Sequence, residues 1–240
     1  SISRELKIRG IKVMKKARRP LLTKRMMKQR LAFALRNRNH PIDFWDKVVF
    51  TDETPIKTFA QVPNEHAFIR PGTDENTVNE KTTSPTVKHP DYILIWSGFS
   101  IKGTGLIYWC DGKVDSKQYI DIIKTAYVPS VEQFGLSLDD SIMLHDHAPA
   151  HTSKASTTAI KEFGVNVIED WPGNSPDLNP IKNLWSVLKT NVALNFHSGT
   201  LQELYDVIGN EWAKIEMWHT DMLQNLARSM PERLQKVIDR

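Results

Sequence analysis

The segment NSPDLNPIKNLW, residues 174–185, reads as a proline-bracketed turn that launches a helix. Asn179 can cap that helix, and Pro180 suits its first turn because proline has no N–H to lose there. On this register Lys182 stands at the third helical position, where the partial positive charge of a helix start favours an acid. The helix is expected to run from Pro180 to about Ala193. Upstream lie VNVIED (165–170), which reads as a strand, and a helical stretch from about Ser153 to Phe163. Before them comes SIMLHDH (141–147), an apolar strand ending in an aspartate.

Earlier in the chain the same theme occurs as VVFTDE (48–53), the pattern of a buried strand whose end presents a carboxylate. YILIWSGFS (92–100) and GTGLIYWC (103–110), joined by Ile101 and Lys102, read as a hairpin. RPGTDEN (70–76) reads as a turn-rich excursion. Residues 115–134 have helical periodicity, with Pro129 expected to interrupt it. In the tail, Thr200 with Glu203 and Ser229 with Glu232 have capping-box spacing ahead of helical patterns. Hairpins followed by strand–helix–strand–helix predict an α/β domain with a partly antiparallel sheet.

Composition narrows the function classes. The 240 residues suffice for one large domain or two small ones, and 40% hydrophobic with 25% charged is ordinary for a globular protein. No apolar run approaches the roughly 20 residues needed to cross a bilayer. No signal peptide is visible at the N-terminus, so an intracellular protein is the default. The single cysteine, Cys110, excludes an internal disulfide and a cysteine-based metal site. Residues 1–40 carry 14 Lys and Arg against one acid, whereas the remainder carries 18 basic and 27 acidic residues. A basic arm on a mildly acidic body points to a polyanion such as nucleic acid. KKARRP (15–20) reads as a linker, and Ser1 falls in mid-pattern, so a preceding segment is expected. Thr23 is placed to cap a basic helix with an apolar stripe of Met27, Leu31, Ala34 and Leu35.

Asp52 and Asp146 end two apolar strands far apart in sequence. Were those strands neighbours, two carboxylates would meet at one sheet edge, a costly arrangement unless a cation bridges them. Mg2+ or Mn2+, hard ions that prefer oxygen, are the natural candidates. A pair of such ions about 4 Å apart supports phosphoryl transfer. Aspartates at strand ends also cap turns, so residue types alone leave both readings open.

KVVFTDET, PTVKH, IWSGFS with GTG, HDHAPAHTS, WPGNSPDLNPIKNLW and EWAKI, in this order, resemble the catalytic domain of Tc/mariner transposases. The resemblance runs from about residue 15 to 238. It implies an RNase H-like α/β fold, a mixed sheet flanked by helices, over 21–240. Residues 1–20 then correspond to the end of a DNA-binding region and a basic linker. It also implies a nuclear cut-and-paste recombinase that hydrolyses DNA at transposon ends and joins the freed 3′-OH to a target. By position Asp52 matches the first catalytic, metal-binding carboxylate and Asp146 the second. The third belongs at Lys182, where the family has glutamate; 35 residues separate it from Asp146. Lys15, Lys16, Arg18, Arg19, Lys24 and Arg25 are the expected phosphate contacts, and family members assemble as dimers on DNA.

Other residues carry blander expectations. His145 and His147 read as polar residues at a strand end, and His151 as a residue that orients the active-site loop. Glu53 should point to the face opposite Asp52. Asp177 should satisfy backbone N–H groups of its turn, and Trp171 and Trp185 should be core aromatics. Three readings of Lys182 stand open: lost catalysis, a domesticated DNA-binding or scaffold module, or rescue by Glu169 or Asp170. Physically, its ammonium is expected to reach between Asp52 and Asp146 in place of a divalent ion.

Overall fold

The computed structural model describes residues 21–58, 69–82, 91–196 and 199–240. The 1–20 segment and PTVKH, singled out in the sequence, lie outside these residues. β1 (Val48–Lys57) opens with Val48, Val49 and Phe50, all fully buried. Successive strand side chains point opposite ways, so such a run needs cover on both faces. Two clusters provide it, one holding Val48 and Phe50 and the other Val49.

β1 is the hub of the sheet. β2 (Tyr92–Ser100) runs antiparallel to it, with Asp52 opposite Ser97. β3 (Gly103–Thr104) and β4 (Tyr108–Cys110) fold back on β2, forming the hairpin expected over 92–110. On the other side of β1, β5 (Ile142–Leu144) pairs in parallel, with Leu144 level with Phe50. The sheet order β3-β2-β1-β5, with β4 also on β2, is the mixed sheet that the RNase H-like reading requires.

Helices cover both faces. α1 (Lys24–Asn37) and α2 (Ile42–Asp46) precede β1, and α3 (Glu75–Thr82) follows the Pro71-Gly72 turn. α4 (Ser116–Ile122) continues through a π-turn (Ile123–Tyr127) into α5 (Val128–Gln133). After β5 come α6 (Pro149–Thr152) and α7 (Lys154–Glu162), the latter capped by Ser153. α8 (Ile181–Asn195) buries Ile181, Leu184, Trp185, Leu188 and Val192, a helical-period stripe that packs in the cluster of Val48 and Phe50. α9 (Leu201–Trp218), α10 (Thr220–Ala227) and α11 (Met230–Ile238) complete that cluster. Thr200 and Glu203 form the expected reciprocal capping box on α9.

Several local expectations are corrected. Asp52 lies inside β1, because the antiparallel ladder with β2 carries the strand on to Lys57. VNVIED is no strand: a single parallel bridge joins Val167 to Met143, after which Asp170 turns the chain at φ 55°. Pro129 does not interrupt its helix. The π-turn, with Val128 N–H donating to Ile123 O, absorbs the residue that cannot donate. α8 begins one residue later than expected, which makes Lys182 its second residue. Ser229 makes no capping bond; its hydroxyl donates to Leu226 O. Glu75 already belongs to α3, so the 70–76 excursion ends in a helix, with Asp74 Oδ1 accepting from Thr77 N–H.

α1 is rotated from its expected face. Thr23 caps it as anticipated, but Met27, Leu31 and Leu35 are exposed and Arg30, Phe33 and Ala34 are buried. The buried face carries Phe33 edge-on to Trp171 at 5.2 Å, and the Arg30 guanidinium pairs with Asp177 in the 174–180 turn. Leu184→Ala should therefore destabilise the protein by about 2–5 kcal/mol. Leu31→Ser should change stability by less than about 0.5 kcal/mol. Urea unfolding of both variants measures the contrast.

Candidate active site

β1 and β5 bring the two aspartates together. Asp52 lies two residues beyond Phe50, and Asp146 two residues beyond its parallel partner Leu144. Thr51, between them in the ladder, donates its hydroxyl to Leu144 O at 2.8 Å and ties the strands where they part. Strand alternation directs Asp52 to the α8 face and Glu53 to the opposite face, as expected.

Asp52 is buried, with 7% of its surface exposed. Its Oδ2 accepts from Lys182 Nζ at 2.5 Å and from Trp185 Nε1 at 2.9 Å. Burial raises the Asp52 pKa to about 6 even though the Lys182 ammonium pulls the other way. Trp185 is the core aromatic expected, stacked on Trp212 at 5.0 Å. Its indole N–H on the carboxylate had no sequence signal, since it depends on how α8 meets β1.

Asp146 is half exposed and held differently. Oδ1 accepts from Ala148 N–H at 2.9 Å and faces His151 Nδ1 at 2.8 Å. The other ring nitrogen of His151 meets Glu53 Oε1 at 3.0 Å. With a carboxylate at each nitrogen both must carry protons, so His151 is an imidazolium. Burial alone would lower its pKa, but the hydrogen bonds to Asp146 and Glu53 raise it to about 10. Burial likewise opposes ionisation of Asp146, yet the His151 and Ala148 bonds hold its pKa at about 2. Tyr119 stacks on His151 at 4.0 Å. Burial, then the charge of His151, lowers the His145 pKa to about 3, so the ring is neutral, with Nδ1 hydrogen-bonded to the Tyr119 hydroxyl at 2.5 Å. His147 is exposed.

Asp52, Asp146 and Lys182 line a cleft of about 240 Å3, walled by Trp171, Asn179 and the Asn174–Pro176 turn. Lys182 donates to Asp52, whereas Asp146 takes its bonds from Ala148 and His151, so the expected bridging ammonium reaches one carboxylate. Glu169 and Asp170 line a separate cavity, with Asp170 paired to Arg36 at 2.7 Å. Asp177, expected to serve its own turn, instead takes both its oxygens to Arg30, at 2.8 and 2.7 Å. Of the expected phosphate contacts, Lys24 and Arg25 are exposed at the start of α1. Lys15, Lys16, Arg18 and Arg19 lie outside the described residues.

The fit to a divalent cation is poor. Two hard oxygen donors face the cleft, but Asp52 Oδ2 is already engaged by an ammonium and an indole, and Asp146 Oδ1 by His151. Among the described residues no group of three His, Cys, Asp or Glu side chains is arranged to hold a metal.

A family model described as DDE superfamily endonuclease matches residues 47–205, which include Asp52, Asp146 and Lys182. This chain belongs to that family. Within the DDE superfamily it is a Tc/mariner-type transposase catalytic domain. The Tc1 transposase of Caenorhabditis elegans is 27% identical over 241 residues, covering all of this chain and 84% of that protein. The Tc3 transposase of the same organism is 28% identical, covering 97% of this chain and 67% of that protein. The fold is similar to that of Mos1 transposase in a paired-end complex with its left transposon end. There the TM-score is 0.79 at 19% identity, over 99% of this chain and 69% of Mos1. Other Mos1 paired-end complexes of similar fold are solved with Mn and with Mg.

The clamp on Asp146 has a pH signature. His151 has a raised folded pKa, so its stabilising contribution is complete below pH 6.5 and is lost as pH rises toward about 10. Melting temperatures between pH 6 and 10 should fall more steeply for this chain than for His151→Gln. Parallel curves would contradict the clamp.

Proposed function

We propose that this DDE domain descends from a metal-dependent DNA strand-transferase and that Lys182 disables its chemistry. In this reading Asp52 and Asp146 are the first two catalytic carboxylates and position 182 is the place of the third. The ancestral reaction is hydrolysis of the DNA backbone at transposon ends, followed by joining of the 3′-OH to a target. Mg2+ or Mn2+ is the cofactor class, by analogy with the Mos1 complexes. One observation carries the proposal: the Lys182 ammonium is seated on Asp52 Oδ2. A charge-assisted pair of this kind occupies the oxygen a divalent ion would need, and the ammonium repels that ion.

DNA is the partner, as transposon end and target, and the site of action is the nucleus. Lys24 and Arg25, with Lys15, Lys16, Arg18 and Arg19, would contact phosphates. Such contacts are largely independent of sequence and weaken with salt. Assembly on DNA as a homodimer follows the family pattern.

A second reading has its own support. Asp52 is paired with Lys182, and Asp146 with the His151 that it shares with Glu53, so both aspartates have a cationic partner without any added cation. Such a domain can persist as a non-catalytic DNA-binding or scaffold module.

Plasmid nicking in manganese separates the readings, with this chain and Lys182→Glu each fused to a DNA-recognition region. Cleavage by the glutamate version alone identifies a disabled catalyst. Cleavage by both would overturn the proposal, and cleavage by neither favours the scaffold. Magnesium should raise the melting temperature of Lys182→Glu and leave that of this chain unchanged. Equal stabilisation of both proteins would refute the role given to the ammonium.

A further inference from the structure

The first turn of α8 hangs on side chains rather than on a sheet ladder. The chain from Asn174 to Pro180 is irregular, with Asn174 at φ 52° and few backbone hydrogen bonds of its own. Two arginines from distant elements grip it. Arg30 on α1, only 5% exposed, donates from both terminal guanidinium nitrogens to the Asp177 carboxylate. Arg233 on α11 donates to Asp177 O at 2.7 Å and to Asn183 Oδ1 at 2.8 Å, while its Nε donates to Ser229 Oγ. α1 and α11 pack against each other, so the two arginines approach as one unit.

On the inner side of the turn, buried Asn179 completes the connection. Its Nδ2 donates to Thr51 O at 3.1 Å, the carbonyl adjoining Asp52, and its Oδ1 accepts from Ile181 N–H. Asp177 and Asn179 thus flank a two-sided clamp, with α1 and α11 outside and β1 inside. The residue it delivers is Lys182, next to the Asn183 that Arg233 holds.

We propose that Arg30 and Arg233 are positioning residues for the active site, fixing the 176–183 segment so that position 182 and Trp185 meet Asp52. Burial of a guanidinium is costly unless its carboxylate stays in place, so the pair resists displacement in either direction. The relevance to catalysis rests on the assignment of Asp52 and position 182 as catalytic positions; the clamp itself does not.

The Trp185 indole N–H, which donates to Asp52, is a local reporter that needs neither DNA nor cleavage. Its NMR resonance, assigned through Trp185→Phe, would be followed in this chain, Arg30→Met, Arg30→Lys and Arg233→Met, together with amide hydrogen exchange. The expected result is a displaced or broadened Trp185 indole signal, with exchange at residues 178–184 faster by about tenfold relative to β2 amides. Arg30→Lys, which keeps the charge and loses the two-pronged bond, should fall between. An unchanged Trp185 signal with exchange rising uniformly would mean ordinary structural arginines and would overturn the proposal. Should Arg30→Met fail to fold, Arg233→Met, acting from a partly exposed position, decides the question by the same readouts. Absence of cleavage by Lys182→Glu would refute the catalytic reading while leaving these signals untouched.

Discussion

A carboxylate buried at the centre of a sheet must be neutralised, and the whole site is organised around that need at Asp52. Burial outweighs the donors around it and leaves its pKa raised to about 6. An indole N–H and an ammonium, both from α8, offset the cost. The position of α8 therefore governs the electrostatics of β1. Everything that places α8, from its buried stripe to the arginines on its leading turn, acts on the charge of one aspartate.

The two aspartates are level in the sheet but unequal in environment. Asp52 faces the large core and is satisfied by donors from α8. Asp146 leaves the end of β5, remains half exposed, and is gripped from the other face by His151, which also holds Glu53. The sheet thus separates two neutralising systems: a lysine on one side and an imidazolium on the other. Lys182 serves Asp52, while the His151 imidazolium is shared between Asp146 and Glu53. Each of the three carboxylates thus lies against a cationic side chain, which offsets the cost of its burial.

Legibility from sequence varied with the range of the interaction. The hairpin over 92–110, the caps at Thr23 and Thr200, and the extent of α8 depend on neighbours a few residues apart. Turn chemistry and apolar periodicity therefore display them. The apolar stripe of α1 is exposed because the face it turns inward is set by long-range partners: Trp171 for Phe33 and Asp177 for Arg30. The helix through Pro129 was misread because a single π-turn repairs what proline removes. The strand at 165–170 was overestimated, since its apolar alternation found room for only one bridge beside β5.

The sequence by itself determined the α/β class and a partly antiparallel sheet, and the resemblance of its motifs singled out Asp52, Asp146 and position 182 as one candidate site. These follow from local patterning and from motifs whose spacing is continuous along the chain. Only the tertiary structure decided which carboxylate the ammonium takes, that Trp185 shares it, and that His151 spans Asp146 and Glu53. It alone showed that two arginines, more than 200 residues apart in the chain, hold the same turn. Side-chain partners across such separations are set by how packed helices and strands meet, and local patterning along the chain carries no record of that geometry.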